Sequence, residues 1–306
     1  MEDVLRKQLA RGNVLLETAP PILRHMLVNG DDALFSDEVV ASVRGGLTHI
    51  ARQMLYSVAE QAGIADRGGF AAERQDAVAQ TVLNDTSFLA HAHARTLEAR
   101  ITERLRDRSN IDPVLSPLLQ ELAASTDTST AATAIKALSA QARFVQQSRR
   151  MELPLAELPQ DLLQAALGVL EKHLEDMKQA VSSASEQILK ARSQSPSRVM
   201  LLEELVTGLG TKARRALAVD NGGVAIFVTA LAMAAEQPRD TAILSLGENQ
   251  RTRLALALQA ARLDRAAIEE QFQYFHPEGA LPDGIETLSA ERAAAMLAAF
   301  SDERAR

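Results

Sequence analysis

The sequence predicts an all-α protein, a helical bundle with one long heptad-patterned helix followed by stacked short helices. Three observations predict it: apolar residues recur at helical spacing throughout, aromatics make up only 3% of the chain with no tryptophan, and the sustained apolar-polar alternation of a strand is absent. Leu, Ala, Val and Ile must fill the core. Such side chains suit helix packing, whereas sheets are enriched in β-branched and aromatic residues.

Each element has its own cue. A short first helix is expected to stop at Pro20-Pro21. Ser36, Asp37 and Glu38 form an acidic helix start, and Val39, Val43, Leu47, Ile50, Met54 and Val58 then make an amphipathic helix ending near Gly63. Gly68-Gly69 precede a weaker helix to Leu83, and Asp85 or Thr86 can cap the next, whose stripe is Leu89, His93, Leu97, Ile101 and Leu105. A helix starts around Pro113, and another follows Thr128 with Ala131, Ile135, Leu138, Ala142 and Val145 on one face. The Pro154 and Pro159 stretch interrupts the pattern, since proline disfavours helical geometry in the residue before it.

After Pro159 comes the heptad seam, with Leu167, Leu174, Val181 and Ile188 at one position and Leu163, Leu170, Met177, Ala184 and Ala191 at the other. With no internal proline, this helix is expected to run unbroken at least to Lys190, its seam buried inside the same chain. It gives out at Arg192-Ser193-Gln194-Ser195-Pro196-Ser197, which divides the chain into an N-terminal helical bundle, 1–192, and a C-terminal helical domain, 198–306. Short helices over 199–217, 224–235, 238–246, 248–263, 265–275 and 289–300 suggest helical-repeat-like stacking, although no signature recurs at a fixed period.

Composition narrows the function. At 306 residues the chain can bury roughly 75% of its unfolded surface, enough for one or two cores. The absence of cysteine removes disulfides, thiolate metal sites and a cysteine nucleophile. No apolar run reaches the ~18 residues of a membrane span and the N-terminus does not read as a signal peptide, so a cytoplasmic location is expected. A net charge of −7 argues against a general nucleic-acid role.

The chemistry-bearing residues are sparse. The six histidines lie at positions 25, 49, 91, 93, 173 and 276. His91 and His93, two apart on a helix, point about 200° away from each other and cannot share a metal. Gly208-Leu209-Gly210-Thr211-Lys212 lacks the spacing of a phosphate-binding loop and reads as a helix break. His49 is expected to point outward, beside Gly45, Gly46, Arg52 and Gln53; room for a partner and a nearby cation are what phosphotransfer to a histidine requires. Lys190, Arg192, Arg198, Lys212, Arg214 and Arg215 oppose only Glu203 and Glu204 over residues 190–215, a local net charge of +4 that could form a basic surface. No metal or cofactor is implied.

Residues 142–155 and 238–256 resemble an uncharacterised bacterial all-helical family of the domain-of-unknown-function kind, over roughly two-thirds of the chain. The resemblance implies a bacterial protein and brings no catalytic residues. The expected function is a non-enzymatic protein-protein interaction or regulatory module. Its alternatives are a phosphotransfer accessory using His49 with Arg52, and an enzyme whose site is dispersed in sequence. A protein partner is expected rather than nucleic acid, and a homo-oligomer is allowed, with any dimer contact made outside the seam or near its Ile188 end.

Overall fold

A computed structural model describes residues 2–29 and 36–302. Its helices are α1 (Glu2–Asn29), α2 (Asp37–Gln61), α3 (Arg67–Leu83), α4 (Thr86–Ser109), α5 (Pro117–Ala123), α6 (Thr128–Arg149) and α7 (Gln160–His173), then α8 (Lys178–Gln194), α9 (Arg198–Gly208), α10 (Val219–Ala234), α11 (Arg239–Ser245), α12 (Arg251–Ala260), α13 (Arg265–Phe275) and α14 (Ala290–Asp302). No strand occurs among the described residues, so the protein is all-α.

The chain forms two compact units, one of residues 1–19, 97–145 and 199–306 and the other of 20–96 and 146–198. The segment 1–192 therefore contributes to both units, and the boundary expected near 192–198 marks the last of four crossings.

In the second unit α2 packs against α3, α7 and α8. Its buried face carries Val43, Leu47, Ile50, Met54, Leu55 and Val58, the stripe that the sequence shows. Gly63 takes a φ of 68° just past the helix end, and the Ile64 amide reaches back to the Ala59 carbonyl at 2.9 Å. Such a left-handed closing residue favours glycine, which has no Cβ to clash.

The expected unbroken helix after Pro159 is corrected. Leu174 leaves helical geometry at φ −129°, ψ 47°, and a 3-10 turn, Glu175–Met177, separates α7 from α8. The seam itself is largely buried, with Leu163, Leu167, Leu170, Leu174, Val181 and Ala184 all inside, while Ala191 is exposed. Leu174 and Met177 both leave helical geometry, and α7 and α8 each pack on α2, so the two halves of the seam face one core across the break. The pattern therefore reports which side faces the core and conceals the break.

Two further expectations change. α1 does not stop at Pro20-Pro21 but continues to Asn29, and the passage between units falls at Pro20. Its buried residues Leu16, Leu23 and Leu27 keep helical spacing across the prolines. In α6 the buried face is Thr133, Ala134, Ala137, Ala140, Gln141 and Phe144, and Ile135 is 55% exposed. Three alanines and Thr133, with Gln141 and Phe144 at the far end, take the inner face that Ile135 and Leu138 were expected to take.

The first unit is organised by α10, which packs against the 3-10 segment Gly210–Leu217, α5, α11 and α12, while α12 also packs on α14. Residues Val224 to Ala232 of α10 are buried all round, as befits a helix without a polar face. Gly223 breaks its first turn with a φ of 67°, where an added Cβ would come within 3.1 Å of the Ser116 Cβ. The Phe227 and Phe275 rings stack with centroids 5.3 Å apart.

Polar groups also reach the interior of this unit. Glu98, 1% exposed, forms a two-pronged ion pair with Arg239 at 2.8 and 2.9 Å; the arginine Nε donates to Thr229 Oγ1 at 3.0 Å. Burial pulls the Arg239 pKa down, and Glu98 outweighs it, holding the guanidinium above its ordinary value. Arg253 donates to Gln237 and to Asn13, and Gln250 Nε2 donates to the Gly12 carbonyl at 2.7 Å.

Candidate functional site

The residues singled out in the sequence are drawn from both units. His49 is half-buried, which corrects its expected outward position. Its Nδ1 lies 3.0 Å from the Leu153 carbonyl, and Gln53 Nε2 donates to that same carbonyl at 2.9 Å. Gln53 Oε1 in turn accepts from the Leu155 amide at 3.2 Å. The glycine-thinned face is already filled, because a Cβ on Gly45 would meet the Met151 Cβ at 2.7 Å and one on Gly46 would meet Leu153 at 3.3 Å. Those glycines let the chain's own 151–155 segment cross the helix. Arg52 stays exposed.

The candidate basic residues are likewise drawn from both units. Lys190, Arg192 and Arg198 belong to the second unit, and Lys212, Arg214 and Arg215 to the first. Arg198 is buried rather than superficial, Arg192 donates to the Ala156 carbonyl, Arg214 donates to the Arg262 carbonyl, and Arg215 pairs with Glu121. Lys190 and Lys212 are exposed, and Lys212 adds its charge to that of Arg215 beside Glu121. α9 ends at Gly208, and Gly210 with φ 52° opens the 3-10 segment, so the glycine-rich stretch is a change of helix type.

The histidines stay apart. His91 and His93 are both half-buried, and burial lowers the His93 pKa to about 4. His173 Nε2 lies 2.7 Å from Thr81 Oγ1 on the surface of the second unit. Among the described residues no three His, Asp or Glu side chains are placed to hold a metal ion.

A cleft that sequence reasoning missed lies in the first unit. It has a volume of about 440 Å³ and is formed where the end of α12 and the start of α13 meet the 281–286 segment. That size falls within the roughly 300–1,000 Å³ common for ligand pockets. Leu263, Ile268, Leu281, Pro282 and Ile285 supply its apolar surface, and Arg265, Asp283 and Glu286 are exposed around it. Asp264 fixes the first turn of α13 by accepting from the Ala267 amide at 3.0 Å, which sets the position of Arg265 and Ile268. Across the cleft, Gly284 turns the chain with φ 93°, and Gln259 Nε2 holds the next stretch through the Leu288 carbonyl at 2.5 Å.

The charges around this cleft do not balance. Arg265 bonds Glu269 at 2.7 Å and also feels the charge of Glu286, so one cation there meets the carboxylates of Glu269, Glu286 and Asp283. The only signals for this place in the sequence were the breaks at Pro277, Gly279, Pro282 and Gly284, which mark a loop long enough to fold back on a helix pair.

Among the described residues no single helix is long and apolar enough to cross a membrane. No protein-family model, curated protein or solved structure matches the chain.

Proposed function

We propose that this protein is a helical interaction module whose cleft between α12, α13 and residues 281–286 receives a peptide segment carrying both an apolar and a basic side chain. The observation that carries the reading is the pairing of the apolar lining residues Leu263, Ile268, Leu281 and Ile285 with an acidic rim, where Asp283 and Glu286 stand beside an Arg265 already bonded to Glu269. An apolar side chain removed from water there gains burial energy, and the carboxylates select the charge beside it. Rim charges of this kind act on association rate and partner choice more than on affinity.

The test is a titration with labelled peptides of matched length, one basic and apolar, one acidic and apolar, and one basic without apolar residues. The first is expected to bind, and the double substitution Asp283→Lys with Glu286→Lys is expected to weaken it at least tenfold and to favour the acidic peptide instead. Leu281→Ala should weaken both. Equal binding of all three peptides, or indifference to the charge reversal, would overturn the reading.

A further inference from the structure

We propose a second, separate site in the first unit, where Arg104, Arg251 and His276 together bind a dianionic phosphate group. His276 follows the last turn of α13 and is only 3% exposed, with its ring against Phe272 at a centroid distance of 5.0 Å. Its Nε2 is buried without a hydrogen-bond partner, and so is the Nε of Arg104 on α4. Buried polar atoms are nearly always bonded, so two orphans in one neighbourhood call for a missing partner.

Arg251 completes the set. It opens α12, and its guanidinium lies where a Cβ on Gly279 would stand 3.3 Å from Cζ and 3.4 Å from Nε. The same imagined Cβ would be 3.2 Å from the His276 Cβ, so the bare glycine lets the arginine and the histidine share one small space. Arg108 donates to the Tyr274 carbonyl, which ties the end of α4 to the end of α13 and keeps Arg104 in the same region. Neither Arg104 nor Arg251 has an ion pair or hydrogen bond to a carboxylate among the described residues. The nearby opposing charge is Glu248, an exposed residue that acts on Arg104, while Arg108 and Arg100 act on it with like charge.

The histidine carries the imprint of this surrounding. Its pKa falls to about 4, first through burial and then through the charges of Arg251 and Arg104. At neutral pH the ring is uncharged and can donate one N–H. Two guanidiniums with one neutral donor suit an anion of two charges and several acceptor oxygens better than a single carboxylate, because arginine presents paired N–H groups to phosphate.

The experiment measures thermal stability and the ¹⁵N signals of the His276 ring during titration with inorganic phosphate and, separately, with phosphoserine, against sodium chloride of equal ionic strength. Saturable stabilisation is expected with at least one of the two, with a shift of the His276 signals, and a tighter response to phosphoserine would identify a phosphoester as the source. Arg251→Gln should weaken the response at least tenfold; Arg251 is exposed, so this variant should fold even if Arg104→Gln does not. A response no greater than that to chloride, or one undiminished in Arg251→Gln, overturns the proposal.

Discussion

The two units solve the same problem, burying a central helix, in different ways. Around α2 the core is apolar, built from Val43, Leu47, Ile50, Met54 and Val58 with Phe70, Phe88 and Leu163, Leu170 and Leu174 of the broken seam. Around α10 the interior admits Glu98, Arg239, Arg253, Gln237 and Gln250. An apolar interior is non-directional and tolerates changes that conserve volume. A polar one fixes partners by geometry and is severe about losing them.

Breaking the ion pair should produce the largest effect. Glu98→Ala takes from Arg239 its paired carboxylate in the interior, and is expected to cost about 3–5 kcal/mol by chemical denaturation. The double variant Glu98→Leu with Arg239→Met should recover most of that loss. If the single variant is as stable as the parent, the pair is solvated and the contrast between the units collapses.

Somewhat smaller losses are expected in the unit around α2. Leu47→Ala and Leu174→Ala should each cost about 2–5 kcal/mol, as do other truncations of fully buried leucines. Leu174 tests the broken seam in particular, because it is buried at a position with non-helical backbone. An unchanged melting temperature there would mean that the turn, rather than the side chain, organises the junction.

The most gradual effect concerns pH. His93 and His276 both have pKa values lowered from 6.5 to about 4. Between those values the unfolded chain binds protons that the folded chain does not, so stability rises with pH across this window. The contribution is complete above pH 6.5 and is lost as pH falls toward 4. Replacing His93 with Gln should flatten part of the profile through the second unit, and His276→Gln part of it through the first. A profile that stays flat from pH 7 to 4.5 in the parent protein would show that neither histidine is held neutral.

The contrast also explains what could be read in advance. Helical spacing located α2, α4 and the side of the seam facing the core, because apolar residues at fixed intervals leave a pattern in one dimension. Glu98 and Arg239 left none, since a charge at a core position looks like a charge on the surface until its partner, 141 residues away, is known. The same limit hid the cleft. Its apolar residues come from the end of one helix, the start of another and a loop, and its carboxylates sit on the loop alone. His49 misled for a related reason. Gly45 and Gly46 looked like room left for a visitor, when the visitor was residues 151–155.

The four crossings between the units bear on how the protein is made. Every residue of the second unit has been synthesised once Arg198 has emerged, but the first unit must wait much longer. The Gly12 carbonyl and the Asn13 side chain accept from Gln250 and Arg253, 238 and 240 positions later. Contacts that distant pay a large loop-closure cost and form late. During translation the start of α1 therefore lacks these tertiary partners until α12 has been made, which leaves the first unit incomplete after the second has all its residues.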